Sequence, residues 1–291
     1  MNTTLHAAHY ADSATQHTVR VSENVPMARD TYRIRVECPP IASHIVPGQF
    51  LMMRLPGCND PLLGRPLALY DTAVDTDGKP VGLDIVYLAL GKFTRRLAKI
   101  AAGEELNIWG PLGNGFPPEP AEHLVMVAGG IGQTPFVALA QEYLSRRQYG
   151  QPLREIPTAK QVTLCYGARS ADYLAGVEDF QRIGVQVRLS TDDGSRGHHG
   201  FVTDLLQNVL NEISLAPRVV CCGPEPMMEA VAKICVDRDV PCQVSLETPM
   251  ACGIGICFTC VAKVRDETGE WDYKRTCVDG PTFDARKIVW D

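Results

Sequence analysis

Three cysteines, Cys252, Cys257 and Cys260, fall within nine residues, and a fourth, Cys277, follows after sixteen more. Of all features in the chain, this one restricts the fold most. The chain holds eleven cysteines, an odd number. The opening MNTTLHAAHYADSATQH has neither a basic n-region nor an apolar h-region, so no secretory signal is expected. A disulfide framework is therefore disfavoured, a reducing cytoplasmic setting is expected, and the clustered thiols read as metal ligands. The C-x4-C-x2-C…C spacing is that of a plant-type [2Fe–2S] centre. Four thiolates must converge on two irons, so the loop has to wrap the cluster and aim backbone N–H groups at its sulfurs. Gly253 and Gly255 omit the Cβ atoms that would block that approach. Small Ala251 and apolar Ile254 and Ile256 would keep water out. A zinc site prefers two close cysteine pairs. The other alternative, ordinary buried thiols, would have to place three in nine residues by chance. The remaining cysteines, at 38, 58, 165, 221, 222, 235 and 242, read as core residues, with Cys222 kept open.

A chain of 291 residues, 45% hydrophobic and with net charge -6, suits a soluble protein of about two domains. Mild acidity without a basic run gives no footprint for nucleic acid or a membrane surface. No apolar stretch reaches the roughly 18 residues of a membrane-spanning helix. After a loose tail (1–17), short Val-, Ile-, Leu- and Tyr-rich segments separated by Gly, Pro and Asp predict a small antiparallel barrel over 18–115. GKFTRRLAKIAAG predicts one helix ending at Gly103, and NIWGPLGNGFPPEPAEH predicts a loop-rich boundary. From 116 to 240, strands alternate with helices, which predicts a parallel sheet of nucleotide-binding type. Residues 241–291 form a short cysteine-rich segment.

Two loops in the second region sit after a strand and before a helix: GGIGQTPF (Gly129–Phe136) and CGPEPMM (Cys222–Met228). Gly129, Gly130 and Gly132 would let backbone N–H groups approach a pyrophosphate at a helix start. Thr134 suits a cap and Pro135 a first turn. A lone glycine turn is a weak signal, but two at the carboxyl ends of strands mark a ligand edge. His198 and His199 lie in a third loop and read as solvated. Arg65 in GRPLALYD is either surface charge or a phosphate clamp. Lys92, Phe93 and Thr94 open a helix and offer a second phosphate position. Tyr70 reads as a packing residue. Arg169 and Ser170 stand where a nucleotide 2′-phosphate would bind, or are simply solvated.

The order barrel, RPLA, GKFT, GGIGQTP, CGPEPM resembles the ferredoxin–NADP reductase superfamily. The closing MACGIGICFTCVAKV…TCVDGPTF resembles, more specifically, electron-transfer subunits of NAD-dependent two-subunit dihydroorotate dehydrogenases. The resemblance spans residues 18–291. It implies FAD along Arg65, Pro66, Leu67 and Ala68, with Val86, Tyr87 and Leu88 on the flavin-side strand and Phe93 and Thr94 at the phosphates. It implies a [2Fe–2S] cluster on Cys252, Cys257, Cys260 and Cys277. It places Gly129 to Thr134 and Cys222, Gly223 and Pro224 against a nicotinamide nucleotide, with NAD as substrate. The family usually has Ser at the Ala68 position, whose hydroxyl would bond the flavin ring, and Gly at the Phe93 position, where a Phe ring would stack instead. The implied partner is an FMN-containing catalytic subunit in a heterotetramer, which oxidises dihydroorotate in pyrimidine biosynthesis. The alternatives are a reductase subunit serving a hydrogenase, ferredoxin or sulfur-reducing partner, and a non-catalytic redox sensor.

Overall fold

The computed structural model describes residues 13–290 except residue 213. Of the expected tail, residues 1–12 lie outside the described residues, and Thr15–His17 already belong to the first strand. A seven-stranded antiparallel sheet forms the first layer. It comprises β1 (Thr15–Ala28), β2 (Thr31–Glu37), β3 (Phe50–Arg54), β4 (Arg65–Ala68), β5 (Asp71–Val74), β6 (Pro80–Leu88) and β7 (Glu105–Leu112), in the order β4-β3-β7-β1-β2-β6-β5. Period-2 alternation drives it. On β2, Ile34 and Val36 point into the core, while Arg33 and Arg35 alternate with them. Arg35 faces Asp84 of β6 in register and grips both carboxylate oxygens, at 2.6 and 2.7 Å. The link from β4 to β5 draws the two edges of the sheet together. Leu69 N–H donates to Gln49 O and Tyr70 N–H to Asp84 O.

Two local expectations are corrected. After a short α1 (Pro39–Ala42), the helix expected to reach Gly103 is only α2 (Lys92–Leu97). The amide of Asn24 donates to the carbonyls of Leu97 and Ile100, each at 2.9 Å, and so occupies acceptors that further helical turns would have used. The NIWGPL part of the expected boundary loop is strand, because β7 fills the ladder between β1 and β3.

The second sheet has the order β11-β10-β9-β8-β12-β13-β16. Its strands are β8 (His123–Gly129), β9 (Gln161–Ala168), β10 (Gln186–Thr191), β11 (His198–His199), β12 (Pro217–Cys222), β13 (Cys242–Ser245) and β16 (Thr282–Asp284). All pairs are parallel except β13–β16. Helices α3 (Phe136–Tyr143) and α4 (Val177–Ile183) cover one face. Helices α5 (Val202–Glu212) and α6 (Glu225–Asp237) cover the other. Between β13 and β16 the chain makes the cysteine loop and the hairpin β14 (Val261–Arg265)–β15 (Trp271–Arg275). The cysteine segment is thus held in the second sheet at both ends. No helix among the described residues is long and apolar enough to cross a membrane.

The two layers share a core. Tyr70 and Val86 of the first pack with Phe136, Val177 and Phe180 of the second. Asp71 forms the polar seam beside it. It accepts hydrogen bonds from Gln141 Nε2 (2.8 Å), Tyr149 OH (2.8 Å) and Arg147 Nη1 (2.9 Å). Tyr70 OH donates across the same seam to Asp179 at 2.7 Å.

Candidate functional site: a thiol loop against two nucleotide-type edges

The four clustered cysteines come together as two pairs. Cys260 and Cys277 are buried and share a hydrogen bond, Sγ to Sγ 3.2 Å. Cys257 is exposed and interacts with Cys252. Among the described residues, no three Cys, His, Asp or Glu side chains close on a single ion. Four thiols in C-x4-C-x2-C…C order are the ligand set of a plant-type [2Fe–2S] centre. Hydrogen bonds from the hydroxyl and N–H of Thr259 bring the Cys257 thiol down to about 6. The bond shared with Cys277 brings Cys260 down to about 6 and, with burial, pushes Cys277 up. A lowered thiol is a ready ligand. Ile254 N–H points at Cys252 Sγ from 3.4 Å, the kind of contact a cluster loop makes to its sulfurs.

The loop is seated on the first sheet. A Cβ on Gly253 would lie 2.6 Å from Met52 Cγ of β3 and 3.0 Å from Leu112 Cδ1 of β7, and the residue has φ 74°. Trp109 Nε1–H, from β7, donates to Cys252 O at 2.9 Å. Asn114 Nδ2 donates to Asp279 O and Thr282 O and so fixes the far end. Thr276 donates through N–H and hydroxyl to Cys260 O, which brings Cys277 beside Cys260. Trp109 and Asn114 lie in the stretch that reads from sequence as a boundary loop. The alternation in NIWGPL is the signal that could have placed Trp109 on a strand.

The residues expected along a flavin lie next to this loop. Met52 faces Pro66 in register, and Met53 faces Arg65. One strand therefore separates Gly253 from β4. Arg65 is exposed, and its Nη1 donates to Leu63 O and Gly64 O. Pro66, Leu67 and Ala68 are half-buried. Val86 and Tyr87 of β6 are buried, and Leu88 is half-buried. The Tyr87 hydroxyl is taken by Asn24 Oδ1 at 3.0 Å. Phe93 needs a correction. Its ring lies in the barrel core, 1% exposed, and cannot stack on a cofactor. Thr94 Oγ1 accepts from Gly91 N–H at 3.1 Å, so it serves the start of α2.

The glycine loops meet each other. A Cβ on Gly132 would lie 2.2 Å from Cys222 O; one on Gly129 would lie 2.8 Å from Pro224 Cδ; and one on Gly223 would lie 2.9 Å from Gly129 N. Gly130, at φ 55°, has nothing within 4 Å of its Cβ direction. Three of these glycines thus allow close contact between the loops, and Gly130 serves the turn. Thr134 makes no side-chain cap, since Pro135 precedes α3 in helical geometry. The 130–133 turn also touches β6. Burial pushes the Cys222 thiol up to about 12. Glu247, which leads into the cysteine loop, is close enough to add to that rise. The glycine loops, β6 and the start of the thiol segment therefore gather at one edge. His198 and His199 form the exposed edge strand β11.

Two family models match the chain. The iron-sulfur cluster binding domain of dihydroorotate dehydrogenase B matches residues 247–289, and the oxidoreductase NAD-binding domain matches residues 126–233. The chain is similar to the dihydroorotate dehydrogenase B (NAD(+)) electron transfer subunit of Desulforamulus reducens. Identity is 35% over 267 residues, covering 91% of this chain and 95% of that one. The corresponding subunit of Clostridium perfringens is 33% identical over 92% of this chain and 96% of its own. Among solved structures, an NADH-dependent reduced ferredoxin-NADP oxidoreductase studied for flavin-based electron bifurcation superposes with TM-score 0.76 at 26% identity. It covers 94% of this chain and 90% of that chain. A ferredoxin NADP+ reductase from Neisseria gonorrhoeae with bound FAD and NADP gives TM-score 0.60 at 14% identity over 76% and 91% of the two chains, which shows the fold.

Proposed function

Because this chain belongs to the family of dihydroorotate dehydrogenase B electron transfer subunits, we propose that it carries electrons from a dihydroorotate-oxidising catalytic subunit to NAD+, using FAD on the first sheet and a [2Fe–2S] cluster on the thiol loop. We further propose that the partner contains FMN, that the assembly is a heterotetramer and that it is cytoplasmic. When bound, FAD links hydride exchange to single-electron exchange, and the cluster carries single electrons.

Cys252 with Cys257, and Cys260 with Cys277, would hold one iron each. Arg65 would meet an FAD phosphate, with Pro66, Leu67, Ala68, Val86, Tyr87 and Leu88 along the flavin. Ala68 brings no hydroxyl, which leaves the backbone as the donor there. Lys92, Phe93 and Thr94 can contribute backbone N–H groups at the start of α2, but not the Phe93 ring. Gly129, Gly130, Gly132 and Thr134, with Cys222, Gly223 and Pro224, would seat the nicotinamide nucleotide against β6. Division into residues 18–115, 116–240 and 241–291 follows these three roles, with β13 and β16 tying the last to the second sheet.

The observation that carries this reading is the seating of the paired-thiol loop on β3 and β7, one strand from β4. Anaerobic purification with the catalytic subunit tests it. About two irons and one FAD per chain, an NADH-reducible [2Fe–2S] signal, and orotate formed from dihydroorotate are expected. Zinc instead of iron, or no flavin, would overturn it. The fit to the bifurcating oxidoreductase favours a second reading, a reductase subunit serving a ferredoxin-type partner. It is supported if the loaded chain reduces such an acceptor and binds no dihydroorotate-oxidising subunit.

A further inference from the structure

The four thiols differ in what can reach them. Cys257 is exposed, and water can replace its bond to the Thr259 hydroxyl, at 3.1 Å. Cys260 and Cys277 are buried, so a donor to either sulfur has to come from the protein. Thr276 stands beside them, fully buried, just before Cys277 in the chain. Its N–H donates to Cys260 O at 2.7 Å, and its hydroxyl reaches the same oxygen at 3.1 Å. The carbonyl thus has its shorter partner in the N–H, and the hydroxyl is a spare donor next to Cys260. That hydroxyl is also within reach of the Cys260 sulfur. Hydrogen bonding to Cys277 first, and then to the Thr276 hydroxyl, draws the Cys260 thiol down to about 6.

A threonine hydroxyl has one proton to give. The Thr276 hydroxyl is also bonded to that of Thr248, which comes from the opposite end of the thiol segment. Were Thr276 to spend its proton on Thr248, Cys260 would receive none. Its aim at Cys260 O shows the other order. Thr248 donates to Thr276, and Thr276 donates toward Cys260. Thr248 is half-buried, so water can serve its own oxygen. No water reaches Thr276, so its orientation depends on Thr248.

We propose that Thr276 tunes the iron–sulfur centre by donating its hydroxyl to the Cys260 sulfur, and that Thr248 is the positioning residue that aims it. This rests on the cluster reading above. A donor on a ligand sulfur favours the reduced centre, which carries more negative charge, and so raises the reduction potential. In the dry surroundings of Cys260 such a bond is stronger than one in water. The two hydroxyls therefore make the centre a readier acceptor of single electrons. The cysteine spacing selects the ligands, and the threonine pair sets how readily they hold an added electron.

The test is a reductive titration of the loaded full-length chain, followed by EPR. Thr276→Val keeps the shape of the side chain and the N–H bond to Cys260 O, and removes only the hydroxyl. It should retain iron and FAD. At the wild-type midpoint its ratio of reduced to oxidised centre should fall about tenfold, a shift of about 59 mV to lower potential for one electron. Thr248→Val should move the potential the same way, by less. Thr276→Ser keeps the hydroxyl and should return the wild-type potential. Should Thr276→Val fail to hold iron, Thr248→Val decides, because its site is only half-buried. A wild-type potential in either valine variant, with its iron intact, would overturn the proposal. So would a Thr276→Ser chain shifted as far as Thr276→Val, since the methyl group and not the hydroxyl would then matter. Failure of the cluster reading itself looks different: the wild-type chain would hold zinc or no iron and show no midpoint.

Discussion

At Gly132 a methyl group would sit 2.2 Å from the carbonyl oxygen of Cys222. Neither backbone can retreat without moving a strand end. Gly132→Ala should therefore destabilise the fold by about 1–3 kcal/mol and weaken NADH binding, read by thermal melting and by NADH titration of flavin absorbance. Gly253→Ala meets Met52 and also a φ of 74°. It should lower iron per chain while FAD stays bound, and equal loss of both would contradict the separate seating of the loop. His123 offers a test by pH. It is buried, with Nε2 on Thr163 Oγ1 at 2.8 Å and Nδ1 without a partner. Burial, and then the charge of Arg188, holds its pKa below 6.5. The unfolded chain thus binds the proton more readily. Stability from this residue is present above about pH 6.5 and falls as pH drops below it. Melting between pH 5.5 and 8 should show that slope, and His123→Gln should flatten it. At this scale the thiol set is legible in the sequence, because its spacing is local. The job of Gly132 is not, because its contact lies ninety residues away.

Among the elements, α2 and β7 show where local reading fails. GKFTRRLAKIAAG has helical character throughout, yet Asn24 from β1 takes two of its carbonyls and only Lys92–Leu97 stay helical. NIWGPL reads as punctuation because of its Gly and Pro, yet it completes a ladder on both sides. Propensity is a weak prior, and tertiary partners override it. β7 matters to the site through Trp109. Trp109→Phe keeps an aromatic ring, a smaller one, and removes the donor to Cys252 O. A loss of about 1 kcal/mol is expected, seen as faster cluster release to a chelator with the barrel melt little changed. An unchanged release rate would show that the hydrogen bond does not hold the loop.

Across the whole molecule, function depends on how two sheets and one loop are held together. Asp71 is the clearest tie between the layers, accepting from Gln141, Tyr149 and Arg147. Asp71→Ala leaves the buried Gln141 and Tyr149 without that acceptor and should cost about 1–3 kcal/mol. It should also slow flavin reduction by NADH in stopped flow, with FAD content unchanged. Loss of FAD instead would place Asp71 in the barrel's own stability. The sequence by itself determined the elements whose information is local: an antiparallel sheet from period-2 runs, a parallel sheet from strand–helix alternation, and a thiol loop from one spacing. Only the tertiary structure decided that β13 and β16 clamp the thiol loop into the second sheet while Gly253 and Trp109 seat it on the first. It also turned the Phe93 ring into the core and brought the two glycine loops into contact. Each of these depends on close approach between segments far apart in the chain. Such contacts are set by packing and by the need to satisfy every buried polar group, and neither leaves a periodic trace in the sequence.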